Sequence, residues 1–238
     1  YSIAFKINQA GKQTIVKDIE WNVSKHGLLI PTIIFEPIIL GKSKVSRCTG
    51  FNGSFIFNNS LGCNSEIRVV LSGEVIPYVC EIISKSNEPK MPSIPYKWNE
   101  TKVQCEIVGN NPELEIQRIV NFIKTIKIDN LAEGMIKHLY LNGFTSLKKI
   151  MLITKGELLK LDRIEEKMAN KIIASINDKI KIPINLSKIM DGSLSFGHGF
   201  GEKRCKQIID KFPNFLEKSP SHEELVLLAG WSDKSANK

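Results

Sequence analysis

The residues best suited to chemistry are two glycines that flank an aromatic side chain, Gly199-Phe200-Gly201, directly before a basic helical run. Glycines at this spacing permit a tight turn, and the helix that follows begins with amides that have no partner inside the helix. Those amides lie at the positive end of the helix dipole and can donate to a phosphate. The pattern is typical of a helix-hairpin-helix element. An ordinary glycine-rich loop before an amphipathic helix is the alternative.

Neighbouring side chains strengthen this predicted phosphate site. Phe200 would plug the turn between the two helices, while Lys203, Arg204 and Lys206 bring positive charge. None of these groups is suited to reading a base, so the hairpin predicts contact with a nucleic-acid backbone.

A weak internal repeat places the same design at four points in the second half of the chain. Only the third copy keeps both glycines, and the fourth keeps Gly230. The first two copies have neither glycine and are predicted to be packing scaffolds. Four tandem hairpins would wrap a duplex from its minor-groove side. The copies begin at Asp129, Asp162, Gly199 and Gly230.

Short β-branched and aromatic runs, separated by turn residues, dominate residues 14–84, where helical periodicity is missing. Five or so strands in this length predict a small barrel. An OB-fold is the leading prediction, and an SH3-like barrel or a sandwich is the alternative. The predicted strands are Thr14–Val23, Leu28–Phe35, Ile38–Leu40, Phe55–Phe57, Ile67–Leu71 and Val75–Ile83.

A domain boundary is predicted at residues 87–100, where three prolines alternate with polar residues and favour an extended, unpaired chain. Helical periodicity follows it. The predicted organisation is a multi-domain chain: an all-β OB-fold barrel over residues 12–88, a linker over 89–104 and an all-α helix-hairpin-helix domain over 105–238. The predicted helices include Leu114–Ile126, Gly134–Leu141, Met168–Ile176 and Lys203–Phe212.

Bulk composition agrees with this organisation. The chain has 238 residues, 42% of them hydrophobic, and a formal net charge of +8 that suits a polyanionic partner. Its five cysteines are widely spaced, which predicts reduced thiols, an intracellular protein and no zinc site. No signal peptide or membrane-spanning run is found. The strand-like start at Tyr1 leads us to expect a fragment.

Several motifs of this sequence resemble motifs of the bacterial-type NAD-dependent DNA ligases and occur in the same order along the chain. The resemblance covers nearly the whole chain. Residues 1–11 resemble the last strand of the family's nucleotidyltransferase domain. The other matching segments lie in the predicted barrel and the helical domain: residues 19–27 with Pro31, 45–49 with Asn52, 73–77, 126–139 and 195–205.

The resemblance implies roles for particular residues. Lys6 would reach the α-phosphate of the adenylate, a catalytic role in nucleotidyl transfer. Lys25 and His26 stand where the family has an Arg-Thr pair on the DNA backbone near the nick. Val75 and Ile76 would lie against the minor groove, although as strand residues they could equally be core. Further DNA contacts are implied for Gly199, Phe200, Gly201, Lys203, Arg204 and Gly230.

Three departures from the family are visible. The segment that would carry a four-cysteine zinc finger offers only Cys105, so we predict no zinc. Leu71 stands where an arginine is expected. The adenylated lysine of a Lys-x-Asp-Gly motif is missing.

The expected function is therefore the DNA-clamping portion of an NAD-dependent DNA ligase. The full enzyme would use NAD and Mg²⁺, neither held by this chain alone, and would seal nicked duplex DNA together with an upstream nucleotidyltransferase domain. Its expected location is where DNA is replicated or repaired, with no membrane partner. The alternatives are a non-catalytic module that binds nicks or junctions and a structural subunit that binds RNA or protein.

Overall fold

The computed structural model describes residues 11–73 and 75–237. They form two compact units, whose boundary in the sequence falls between Asn111 and Pro112. The prediction for residues 1–11 lies outside the described part apart from Gly11.

Five strands of the first unit close into a barrel. Around the barrel the order is β1, β4, β5, β3, β2 and back to β1, and the single parallel pairing brings Thr49 of β3 opposite Tyr78 of β5. This is the five-stranded Greek-key barrel of an OB-fold, and its closure rules out a two-sheet sandwich. The strands are β1 (Lys12–Val23), β2 (Leu28–Leu40), β3 (Ser43–Thr49), β4 (Glu66–Ser72) and β5 (Ile76–Ser84).

Burial alternates along the first eight residues of β2, so that every second side chain packs in the barrel core. Leu29, Ile33 and Phe35 are buried, while the residues between them are less so. The sequence predicts two strands here, broken near Pro37. A register shift between Ile34 and Ile38 instead lets one strand pass the proline, which has no amide to donate.

The predicted strand at Phe55–Phe57 is wrong, because this segment belongs to helix α1 (Gly53–Asn58). The Asn52 side chain caps the helix by accepting from the Phe55 amide at 2.9 Å. The aromatic and β-branched run favours a strand locally, but the cap starts a helix whose Ile56 is buried in the barrel core.

Part of the predicted linker is also paired. Strands β6 (Tyr96–Trp98) and β7 (Cys105–Ile107) form a hairpin that extends the sheet beyond β2. The prolines at 89, 92 and 95 all precede it, so they leave its amides free to pair. The unpaired state predicted for residues 87–100 is therefore wrong at β6. The helical unit begins at Pro112, not at the predicted domain start of 105, and its first helix starts two residues before the predicted Leu114.

The second unit is helical. Nine helices lie within its described residues, and one apolar core joins most of the first six. They are α2 (Pro112–Ile126), α3 (Glu133–Leu141), α4 (Leu147–Met151), α5 (Lys155–Leu158), α6 (Glu166–Lys181), α7 (Leu186–Ser193), α8 (Glu202–Lys211), α9 (His222–Val226) and α10 (Asp233–Ala236).

Every cysteine carries a free thiol. Cys48, Cys105 and Cys205 are buried, whereas Cys63 and Cys80 are exposed. Burial raises the pKa of the Cys105 thiol to about 11 and that of Cys48 to about 12. Among the described helices, none combines the length and the apolar character needed to cross a membrane.

Replacing Gly53 by alanine should destabilise the barrel. A Cβ atom there would lie 2.7 Å from Cys105 Sγ and 3.0 Å from the Trp98 ring. We expect the free energy of unfolding to fall by about 1–3 kcal/mol, the usual cost of overpacking. Urea unfolding followed by tryptophan fluorescence measures it.

Gly134→Ala is the matched control, because no heavy atom lies within 4 Å of a Cβ at that helical position. Alanine should stabilise α3 by about 0.5–1 kcal/mol. A Gly53→Ala variant as stable as the unmodified chain would contradict the packing of β7 on α1.

Candidate nucleic-acid interface

Four turns of the helical unit share one backbone geometry. We name them hairpin 1 (residues 127–132), hairpin 2 (159–165), hairpin 3 (194–201) and hairpin 4 (227–232). Each has a residue with positive φ, then an apolar residue, then an extended residue that caps the next helix. The positive φ values are 61° at Asn130, 64° at Arg163, 95° at Gly199 and 81° at Gly230.

Hairpins 1 and 2, where the internal repeat placed the same design, adopt this geometry without glycine. Asparagine tolerates the left-handed region, and the Asn130 side chain also donates to Ser175 Oγ at 2.9 Å. Arg163 adopts the same conformation despite its steric cost. The available signal was spacing: in hairpins 1 to 3 the apolar residue is followed five positions later by the first buried residue of the next helix, which is Ile136, Ala169 or Cys205.

The apolar residues hold the hairpins in place in two ways. Leu131 and Ile164 are both buried in the core shared by the first helices of this unit. Phe200 and Trp231 instead pack on each other, edge to face, with ring centroids 5.5 Å apart. Hairpins 1 and 2 thus share one core, and hairpins 3 and 4 form a second pair.

Helices α3, α6 and α8, which follow hairpins 1 to 3, begin without a side-chain cap among the described residues. Their capping positions are Ala132, Glu165 and Gly201. By contrast, α4, α5, α7 and α9 begin at Ser, Thr or Asn residues whose side chains accept from a first-turn amide. First-turn amides of α3, α6 and α8 are consequently suited to an external acceptor such as a phosphate.

Charge distinguishes hairpin 3 from the other hairpins. Lys203, Arg204 and Lys206 stand on the first turns of α8 against one acid, Glu202. At hairpin 2 the cations are balanced by acids, and an ion pair of 2.8 Å with Lys155 lowers the pKa of Glu166. Hairpin 3 therefore has the strongest attraction for a phosphate.

Arg204 has a structural role inside this pair of hairpins. Its Nη1 donates to the Gly199 carbonyl at 3.1 Å, and its guanidinium carbon lies 5.5 Å from the Trp231 ring centroid. Trp231 Nε1 donates to Gln207 Oε1 at 2.9 Å, while Gln207 Nε2 donates to the Ala229 carbonyl at 3.0 Å. These contacts fix hairpin 3 against hairpin 4.

In the barrel, Lys25 and His26 occupy the turn between β1 and β2. The Gly27 amide donates to the Ser24 carbonyl at 2.9 Å, and Gly27 has a φ of 78°. Both predicted contact residues are half-buried and have interactions within the protein. The turn holds them side by side, as a backbone contact would require.

Val75 and Ile76 lie at the turn between β4 and β5, with 76% and 62% of their surface exposed. The alternative that they are core residues is therefore wrong. Leu71, in contrast, packs against the barrel core. An exposed apolar pair at a hairpin tip is suited to a partner's surface.

Lys6 lies outside the described residues. In the described part of the chain no three His, Cys, Asp or Glu side chains converge on a point that could hold a metal ion. The described residues thus place the predicted contact residues on both units, and they contain no such cluster of possible metal ligands.

Comparison with known proteins identifies the barrel. Residues 13–91 match the sequence model of the NAD-dependent DNA ligase OB-fold domain. This segment is a bacterial-type ligase OB-fold.

Relatives match almost the whole chain. It is 33% identical to a DNA ligase of Acanthamoeba polyphaga mimivirus, over 92% of this chain and 34% of the relative. It is 25% identical to a DNA ligase of Lactiplantibacillus plantarum, over 100% of this chain and 37% of the relative, and 29% identical to DNA ligase 2 of Clostridium acetobutylicum, over 96% and 36%. The chain thus spans about a third of the length of these curated relatives.

Substitutions at Arg163 should show that hairpin 2 needs a left-handed residue. Glycine adopts a φ of 64° without steric cost, so Arg163→Gly should leave the free energy of unfolding within about 1 kcal/mol of the unmodified chain. Arg163→Val should lower it by about 2 kcal/mol, because a β-branched side chain strongly disfavours this region. Denaturation followed by far-ultraviolet circular dichroism measures both variants. Equal stability of the two would contradict the assigned backbone.

Proposed function

We propose that this chain is the DNA-clamping portion of an NAD-dependent DNA ligase, with the helical unit acting as a helix-hairpin-helix domain. The observation that carries the proposal is the repeat of one hairpin geometry four times in a chain whose barrel is a ligase OB-fold. The proposed partner is nicked duplex DNA.

Hairpins 1 to 3 would bind the sugar-phosphate backbone through the first-turn amides of the helices after them, which no described side chain caps. These donors are fixed by the fold, so a phosphate meets them already oriented. Hairpin 3 supports this role best, since Gly199 and Gly201 are exposed and Lys203 stands beside them. Gly230 would allow the same approach at hairpin 4. Because none of these contacts reads a base edge, binding should be independent of sequence.

Arg204 would act differently from Lys203. With Nη1 bonded to the Gly199 carbonyl, it chiefly fixes the shape of hairpin 3, and its other N–H groups can still face a phosphate. Phe200 likewise supports the turn through Trp231.

The barrel would contact DNA near the nick. Lys25 would donate to a phosphate as a point charge, without the two-pronged geometry of an arginine, and His26 would lie beside it. Val75 and Ile76 would press apolar surface into the minor groove, which widens by such contact. These interactions align the two ends of a nick without performing chemistry.

Nick sealing belongs to the full enzyme in this proposal. AMP would move from an upstream lysine to the 5′-phosphate, and the 3′-hydroxyl would then displace it. Lys6 would stabilise the charge that develops on the α-phosphate. NAD and Mg²⁺ would be held by the full enzyme rather than by this chain alone.

A non-catalytic nick-binding module is the second candidate. The packing of Leu71 into the core, where the family would have an arginine, favours it because one cationic contact is lost. The two candidates differ in whether the chain supports sealing.

Gly201→Val should weaken binding to duplex DNA of any sequence. A Cβ at Gly201 meets no protein atom within 4 Å, so the fold should survive while the side chain blocks the approach of a phosphate. Loss of one phosphate contact should make the dependence of log K on log[salt] shallower by about 0.9. Fluorescence anisotropy with a labelled nicked duplex at several salt concentrations measures both effects.

Gly156→Val is the matched control for hairpin 3, because it lies in α5, outside the residues of all four hairpins, and also meets no atom within 4 Å. It should bind like the unmodified chain. Unchanged affinity and salt dependence for Gly201→Val would remove hairpin 3 from the interface.

A sealing assay separates the two candidates. The chain is mixed with an adenylated nucleotidyltransferase domain and a nicked duplex, and sealing is compared with that of the domain alone. A gain is expected for a ligase portion. DNA binding without any gain would support the non-catalytic module instead.

A further inference from the structure

The hairpin of β6 and β7 touches the turn that carries Lys25 and His26. The Ile107 amide donates to the Gly27 carbonyl at 2.9 Å, which ties β7 to the residue directly after His26. Two register pairs continue the contact, Leu28 with Glu106 and Leu29 with Cys105. The far side of the β1–β2 turn is thus held by β7.

The hairpin is itself anchored on the barrel. Trp98 packs edge to face on Phe57 of α1, with ring centroids 5.8 Å apart. The Ser54 amide donates to the Val103 carbonyl at 3.0 Å. Cys105 is fully buried against Gly53, where even a methyl group would clash with its sulfur. Because the hairpin is packed against the barrel at several points, it can hold the backbone of the β1–β2 turn in one position.

The loop between β6 and β7 is held by hydrogen bonds to Asn99. Asn99 Oδ1 accepts from the amides of Val103 and Gln104 at 3.0 and 3.1 Å, and the Asn99 amide donates to the Gln104 carbonyl at 2.9 Å. These bonds replace the missing ladder partners at the tip. Hydrogen bonds and apolar packing therefore order this hairpin, which lies in the segment between the barrel strands and the helical unit.

We infer that the β6–β7 hairpin is a positioning element for the Lys25–His26 turn, acting through the bond from the Ile107 amide to the Gly27 carbonyl. The inference rests on the proposed contact between this turn and a DNA phosphate. Lys25 would donate to that phosphate, and Ile107 would act only through the turn. No residue of the hairpin needs to touch DNA.

A double-mutant cycle tests the coupling. Ile107→Pro deletes the amide donor, and Lys25→Met deletes the proposed phosphate contact. Each single variant should bind a labelled nicked duplex severalfold more weakly, with a salt dependence shallower by about 0.9. In the Lys25→Met background, Ile107→Pro should cause no further loss, because the contact it positions is already gone.

Trp98→Leu is a milder second variant that loosens the anchor on Phe57 and should act in the same direction. Lys97→Gln is the matched control: it removes an exposed cation of the same hairpin, paired with Glu106 at 3.7 Å, and should leave affinity unchanged. If both loosening variants unfold, hydrogen exchange of the unmodified chain decides, since the Ile107 amide must be protected.

Other results overturn the inference. Equal losses from Ile107→Pro in both backgrounds, an unchanged salt dependence, an unprotected Ile107 amide, or weaker binding by Lys97→Gln would each exclude a positioning role. DNA binding by the unmodified chain that is weakened by Lys25→Met would still support the proposed function. A chain that does not bind duplex DNA at all would remove the proposed function itself.

Discussion

The helical unit depends on one constraint: the chain must enter each of four helices through a left-handed residue. A helix that begins this way turns back on its predecessor and buries one apolar side chain in the turn. At α3, α6 and α8 no described side chain caps the first-turn amides. The other helices of the unit show that this sequence uses Ser, Thr and Asn caps freely, so the missing caps follow a pattern rather than chance.

Glycine and non-glycine residues at the left-handed position affect the stability of the hairpins differently. Gly199 and Gly230 adopt positive φ at little steric cost, whereas Arg163 must pay a conformational penalty that the surrounding packing offsets. Ile164 is almost fully buried in the main core, which supplies that packing. Hairpins 3 and 4 contain glycine but lie outside that core. They are held instead by the contacts among Arg204, Gln207 and Trp231.

Local sequence was sufficient to predict a strand or a helix wherever a single type of pattern extended over the whole element. A β-branched and aromatic run predicted a strand over the first part of β2, and apolar spacing predicted α2 and α8 to within two residues at each end. Prediction failed where a single polar group decided the outcome, as at Asn52, which turns an aromatic run into α1. It also failed where long-range pairing overrode composition, as at β6 and β7. Glycine content was a poor guide to hairpins 1 and 2, because φ depends on tertiary packing as well as on residue type.

The β6–β7 hairpin is ordered by contacts with the barrel and across its own loop. Its sequence has one cysteine, and that thiol is buried in an apolar contact that raises its pKa, so it is a poor ligand in this position. Zinc would have fixed a short segment through a few strong bonds. Here the same rigidity comes from Trp98 on α1, from Asn99 across the loop tip and from backbone pairing with β2. Because those bonds end at Gly27, the order they create reaches the turn that bears Lys25, and the stability of the hairpin is coupled to the geometry of that turn.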